Sequence, residues 1–209
     1  MSTPIVAIAS FAGGVGKSTL AHALAVACAE YGKKSLLIDL DKNGALTFKL
    51  GLERSRENIV TCPERFDFRP HTANGSLTEL IADIPEKYDL VIVDTPTNFS
   101  DEVADIFQAA KLILLPVRES LHSLRGALSV MKVTSAPCKA LPLFRVGSSE
   151  LANLITAELD LLDGEISIAT EVITAEPQTV SVLTTAKNCE VAQQYRDCAY
   201  SLLEELAIF

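Results

Sequence analysis

With 209 residues, 48% of them hydrophobic, the chain has the size and apolar content of one α/β domain around one buried core, taken here as 1–209. A formal net charge of −9 excludes a surface that grips nucleic acid along its whole extent, because non-specific binding needs Lys and Arg to neutralise phosphates. No apolar run approaches the roughly 18 residues that cross a bilayer and no basic leader precedes the first apolar segment, so a cytoplasmic chain without membrane contact is expected. The five cysteines are scattered and never in C-x-x-C spacing, which suggests neither a disulfide framework nor a zinc site, and Cys28 reads as core.

Residues 5–9 are an apolar run of β type. An Ala-rich helix is predicted over 18–31, with Leu20, Leu24, Ala27, Cys28 and Tyr31 at helical spacing and Gly32 as its stop. Between the two runs stands Ser10-Phe11-Ala12-Gly13-Gly14-Val15-Gly16-Lys17-Ser18-Thr19. A Gly-rich turn from strand into helix aims backbone N–H groups and the positive helix end at one point, which is where a phosphate would bind. Gly13, Gly14, Val15, Gly16 and Thr19 form the cradle, Lys17 reaches the terminal phosphates, and the Ser18 hydroxyl holds Mg²⁺. The strict G-x-x-x-x-G-K-[ST] pattern fails by one residue, since its first glycine is Phe11 here.

Ser35-Leu36-Leu37-Ile38-Asp39 reads as a strand buried on both faces, ending in Asp39-Leu40-Asp41. Alternation along the strand lets Asp39 and Asp41 point the same way, and the ligand crevice of an open α/β sheet lies at the carboxyl ends of its strands. Asp41 is the candidate that orients an attacking water, and Asp39 joins Ser18 as a candidate metal ligand. The polar stretch 53–74 is the least legible. Phe66-Asp67-Phe68 hints at a short edge strand, while Cys62, Asp67 and Arg69 read as surface loop, with partner contact as the alternative. A capping box at Ser76 to Glu79 predicts a helix through Ile84.

Tyr88-Asp89-Leu90-Val91-Ile92-Val93-Asp94-Thr95-Pro96 is a strand of four apolar residues closed by an acid, where a carboxylate can hold Mg²⁺ opposite the Ser18 hydroxyl. Ser100 caps a helix whose apolar face is Val103, Ile106 and Phe107. A strand over 112–117 and a helix over 121–134 follow, the latter with Leu124, Leu128 and Met131 as core. Beyond them come a strand over 141–146, a helix over 149–162 with Leu151, Leu154, Ile155, Leu159 and Leu162 on one face, a strand over 166–173, and closing helices. This alternation predicts a doubly wound, mainly parallel sheet with helices on both faces, a three-layer arrangement. His22, His71 and His122 show no ligand spacing and read as structural or surface residues.

Three segments, 12–19, 39–47 and 88–96, resemble motifs of the ParA/MinD ATPase family: its deviant Walker A sequence K-G-G-x-G-K-[ST], its D-x-D-P-Q-G-x-x-T region and its Y-D-x-x-x-x-D-x-P Walker B segment. The stretch Leu-Leu-Pro-Val-Arg-Glu-Ser, residues 114–120, is similar to the family's L-I-P-V-x-x-S element. The resemblance implies a P-loop fold, ATP with Mg²⁺ as cofactors, a homodimer in the ATP-bound state, an adaptor protein as partner, and a cargo such as DNA. The signature lysine of the family, which crosses to the partner's phosphates, is Ala12 here, and Lys42-Asn43 replaces the usual Pro-Gln. Either hydrolysis is slow or another cation substitutes, with Arg118, Lys42 and a partner protein as sources. DNA binding is weakly supported, because the C-terminal segments offer mainly Lys187 and Arg196 among Glu171, Glu176, Glu190 and Asp197. An ATP-switched positioning protein, a nucleotide-binding scaffold that does not hydrolyse, and a metabolic P-loop ligase or kinase are the three functional classes this pattern admits.

Overall fold

The computed structural model describes residues 3–55, 57–71, 81, 84, 87–145 and 149–209. The expected capping-box helix falls mostly on residues outside this set. β1 (Ile5–Ile8), β2 (Ser35–Asp39), β3 (Val60–Thr61), β4 (Asp67–Arg69), β5 (Leu90–Asp94), β6 (Leu112–Val117), β7 (Cys138–Arg145) and β8 (Ile166–Ser167) form a sheet in the order β3-β4-β2-β5-β1-β6-β7-β8. Every pairing is parallel except β3 with β4. The helices are α1 (Lys17–Glu30), α2 (Ala45–Lys49), α3 (Asp101–Ala109), α4 (Leu121–Met131), α5 (Glu150–Glu158), α6 (Thr170–Ala175), α7 (Val182–Thr185) and α8 (Glu190–Glu205).

The strands are apolar throughout because both faces of the sheet are covered. Alternate residues feed two cores: Val6, Ile8, Leu37 and Ile92 pack under α1 and α8, whereas Ile5, Ala7, Leu36 and Val91 pack under α3, α4 and α5. The expected doubly wound, three-layer fold is therefore present. α1 lies between the sheet and α8, and its small side chains allow that sandwiching: Leu20, Ala21, Ala23, Leu24, Ala27 and Cys28 are all buried. Parallel register sets the working edge of the sheet. Asp94 at the end of β5 is level with Ile8 of β1 on one side and with Asp39 of β2 on the other.

Several expectations are corrected. Cys62, Asp67 and Arg69 are not surface loop: Cys62 and Arg69 are buried, and β4 lies parallel to β2 with β3 as the true edge. The short strand hinted at over 66–68 is thus present as β4, one residue further on and inside the sheet, and its Asp67 accepts from Thr61 Oγ1 at 2.7 Å, Tyr88 Oη at 2.6 Å and Lys87 Nζ at 3.0 Å. The strand expected over 166–173 ends at Ser167, and α6 takes the rest, with Ala169 as its extended N-cap and Glu171 in its first turn. The helix of 149–162 stops at Glu158, since Leu159 is extended and Leu161 bridges to Ala140 of β7. Met131 and Leu154, read as core, are exposed. No helix among the described residues is long and apolar enough to cross a membrane.

Candidate functional site

The turn from β1 into α1 is a backbone cradle. Gly14 and Gly16 adopt φ of 69° and 102°, a left-handed conformation that glycine takes without a Cβ penalty. Gly16 is the N-cap of α1 and offers no side chain to its first N–H groups, which leaves them for an anion. Lys17 is buried at the start of the helix. Burial pulls its ammonium below the usual range, opposed by the charges of Asp94 and Asp41. The side chains expected at the phosphates thus share one electrostatic neighbourhood.

Asp94 is fully buried, and burial pushes its carboxyl up to about 7 against a hydrogen bond from Ser18 and the charge of Lys17. Its Oδ1 has no hydrogen-bond partner among the described residues. A buried carboxylate oxygen beside a serine hydroxyl and a phosphate cradle suits a hard cation that prefers oxygen ligands. Among the described residues no group of three His, Cys, Asp or Glu side chains could hold a metal alone, so a cation here would also need oxygens from the ligand or from water.

Asp39 and Asp41 leave β2 beside Asp94, with Leu40 N–H donating to Asp94 O at 3.0 Å. The Asp39 carboxylate is engaged by its own loop. Its Oδ2 accepts from Thr47 N at 2.9 Å and Thr47 Oγ1 at 2.6 Å, and its Oδ1 accepts from Asp41 N at 3.1 Å. Burial raises its pKa, and those bonds oppose the shift. Asp41 Oδ1 accepts from the backbone and side-chain nitrogens of Asn43, both at 2.9 Å, which closes a turn ending at Gly44. Gly44 has φ of 62°, and the His71 ring lies 2.2 Å from the place a Cβ would occupy, so this position admits no side chain. Lys42 points away and pairs with Glu102 at 3.4 Å on the surface.

Ala12 is fully buried. A Cβ on Gly126 of α4 would fall 2.6 Å from the Ala12 Cβ and 2.7 Å from its nitrogen, so α4 closes directly over this position. Of the cations proposed from sequence as substitutes, Arg118 reaches the cradle. Its Nη1 donates to Gly14 O at 3.1 Å, and its guanidinium lies 4.8 Å from the Phe144 ring centre.

From the cradle a cavity of about 530 Å³ runs past Arg118 and Phe144 to Ile168, Val172 and Ile173 of the α6 region. Phe144, Ile168, Val172 and Lys49 were missed from sequence, since each lies outside any motif and reaches the cavity through long-range packing. Lys49 of α2 donates to the carbonyls of Ala175, Glu176 and Gln178 at 3.1, 3.2 and 2.9 Å. Glu64 accepts from His22 Nε2 at 2.7 Å and Ser181 N at 3.0 Å, and also from Thr184 Oγ1. The one available signal was a histidine on an otherwise apolar helix, which needs a buried polar partner.

A family model described as CobQ/CobB/MinD/ParA nucleotide binding domain matches residues 6–189. In sequence the chain is similar to the chromosome-partitioning ATPase Soj of Thermus thermophilus, 29% identical over 190 residues that cover 80% of this chain and 73% of the relative. In fold it is similar to the septum site-determining protein MinD of Pyrococcus horikoshii, solved with Mg-ADP, at a TM-score of 0.82 and 20% identity, covering 98% of this chain and 97% of that one. Cobyrinic acid a,c-diamide synthase of Mycobacterium smegmatis, solved with an ATP analogue and magnesium, gives a TM-score of 0.78 at 22% identity, covering 98% and 95%.

Proposed function

The chain belongs to the CobQ/CobB/MinD/ParA nucleotide-binding family, and from that premise we propose that it is a Mg-ATP-dependent switch that hydrolyses ATP slowly and positions a cargo. The observation that carries this reading is the burial of Lys17 beside Asp94 and Asp41 at the mouth of the cradle. Gly13, Gly14, Val15, Gly16 and Thr19 supply the backbone that holds the phosphates. Lys17 draws negative charge toward the terminal phosphate. Ser18, Asp94 and Asp39 would hold Mg²⁺, and the Asp39 carboxylate also braces the loop that carries Asp41. The bound cation would neutralise charge that develops between the phosphates during transfer. Asp41 orients the attacking water, held by the turn that Asn43 closes.

The resemblance of its motifs to the ParA/MinD family supports an ATP-bound form that pairs with a second copy and an adaptor protein that couples it to a cargo such as DNA, and the similarity to a chromosome-partitioning ATPase points the same way. Phosphate release from Mg-ATP by the purified chain tests the reading. Release that falls in Lys17→Ala and Asp41→Ala supports it, and release that persists in Lys17→Ala sinks it. A second reading has its own support, because Ala12 sealed beneath Gly126 leaves no cation at the position where the resemblance places one. On that reading the chain binds nucleotide and recruits a partner without turnover. Binding with no release, even with DNA and partner present, would select it.

A further inference from the structure

We propose that Arg118 is a positioning residue of the phosphate cradle: by holding the Gly14 carbonyl it turns the next N–H, that of Val15, toward the phosphates and keeps the loop in its binding shape before nucleotide arrives. The proposal rests on the Mg-ATP reading above and adds a residue that acts on the ligand only through the loop.

Packing does not set the shape of this loop. A Cβ on Gly13 or Gly14 would meet no atom within 4 Å, and Gly14 stands at φ of 69°. A glycine peptide in open space turns over at little steric cost, and its two orientations aim opposite groups at a ligand. The Gly14–Val15 peptide is trans, so its C=O and N–H point in opposite directions. With Arg118 Nη1 donating to Gly14 O at 3.1 Å, the Val15 N–H faces away from Arg118, into the turn that ends at Gly16, the N-cap of α1. Turned over, the same peptide would present a carbonyl oxygen where a concavity of N–H groups should meet an anion.

Arg118 is itself fixed at both ends. Its backbone N–H donates to Ser123 Oγ at 2.9 Å, and Ser123 is buried in the first turn of α4. Its guanidinium lies 4.8 Å from the Phe144 ring centre, which limits the arc the planar group can sweep. The same connection from β6 into α4 reaches the loop a second time, where Phe11 N–H donates to Gly126 O at 3.4 Å. The entry of the loop is therefore tied to α4 and its middle to Arg118. A loop already in its bound shape loses less conformational entropy on binding, so the tie raises affinity for every phosphate ligand alike, whatever base it carries. Acting equally on ground and transition states, it appears in KM and not in kcat.

Calorimetric titration of the full chain with Mg-ADP, Mg-AMPPNP and Mg-tripolyphosphate, together with steady-state phosphate release, tests this. Arg118→Met keeps an unbranched stem beside Phe144 and removes the donor, whereas Arg118→Lys keeps a charged donor. Arg118→Met is expected to weaken all three ligands by about ten-fold, with KM for Mg-ATP raised by a similar factor and kcat within about two-fold of wild type. Arg118→Lys is expected to recover most of that loss. Four results overturn the proposal alone: affinities unchanged in Arg118→Met whatever its thermal midpoint, an equal loss in Arg118→Lys, nucleotides weakened with tripolyphosphate unchanged, or kcat lowered with KM unchanged, which would put the charge on the transferred phosphoryl. Failure of wild type to bind any of the three ligands overturns the phosphate-site reading and this proposal with it. Wild type that binds without releasing phosphate selects the non-hydrolysing reading, and the calorimetric results then decide the proposal by themselves.

Discussion

The two ends of the cavity are built differently. At the phosphate end the working groups come from two short segments, 13–19 and 39–47, and from Asp94, and most of their bonds run to near neighbours: Asp39 to Thr47, Asp41 to Asn43. At the far end Arg118, Phe144, Ile168 and α6 come from separate elements and are held by ties across the fold, Lys49 to the end of α6 and Glu64 to Ser181 and Thr184. The first end is shaped by backbone conformation, the second by tertiary packing. Mutations should therefore separate function from stability at the phosphate end and mix them at the far end.

The largest effect is expected from Lys17→Ala. Phosphate release should fall by about 100-fold or more, because a fixed cation at a transferring phosphoryl acts mainly in the transition state. The thermal midpoint should hold or rise, since the substitution removes a buried ammonium held below its usual pKa by burial. A drop in stability would show that the phosphate end is also a structural keystone and would erase the contrast.

Gly126→Val probes the ground beneath the same end. Its Cβ would meet the Ala12 backbone nitrogen at 2.7 Å, and backbone cannot yield as a side-chain tip does. A cost of about 1–3 kcal/mol is expected, read as a lower urea midpoint at unchanged m-value. Nucleotide affinity should fall with it, because Ala12 leads directly into Gly13. If affinity is untouched, the approach of α4 is packing alone.

This difference also explains what the sequence made legible. Strand, Gly-rich turn and helix are encoded within one stretch, so Gly13 to Thr19 and Asp94 could be named from spacing. The sheet was readable too, because strands buried on both faces leave uninterrupted apolar runs. β4 was readable only as a hint at 66–68, and its place inside the sheet, with β3 outside it, was not. Asp67 and Arg69 break its apolar pattern, and Asp67 is accommodated by Thr61, Lys87 and Tyr88, with Tyr88 21 residues further along. Phe144 was invisible for a related reason: a bulge in one strand turns its ring into the cavity, and no local pattern announces a bulge. The strand expected over 166–173 failed because β8 pairs for two residues only, after which the chain turns into α6.

At the far end, Glu64→Gln should show in pH dependence. Burial pushes the Glu64 carboxyl up, but bonds from His22, Thr184 and Ser181 together with the charge of His22 outweigh it, and its pKa lies below the usual 4.5. A depressed acid contributes stability that is fully present above the unfolded-state value and is lost as pH falls through the folded one. Wild type should exceed the variant by about 1–3 kcal/mol near neutral pH, the range for a buried hydrogen bond to a charged group. The gap should close below about pH 4.5. A gap that is constant from neutral pH to the acid limb would assign the loss to packing and remove the charge from the account.

The smallest effect, and the one that tests the contrast most finely, is Lys49→Met. Lys49 sits in α2, directly after the loop that carries Asp41, yet its ammonium caps the end of α6 on the opposite wall. Methionine keeps most of the aliphatic stem, so what is lost is the contact with three carbonyls at a helix end. A partly exposed contact of this kind is worth about 1 kcal/mol. The loss should be local, seen as faster hydrogen exchange in 170–178 with the exchange of α1 unchanged. If exchange rises equally in 39–47, Lys49 couples the two ends, and the far wall would sense whether the Asp41 loop is in place. If it rises only in 170–178, the tie is a one-sided brace, and the two ends are as separate in energy as they are in construction.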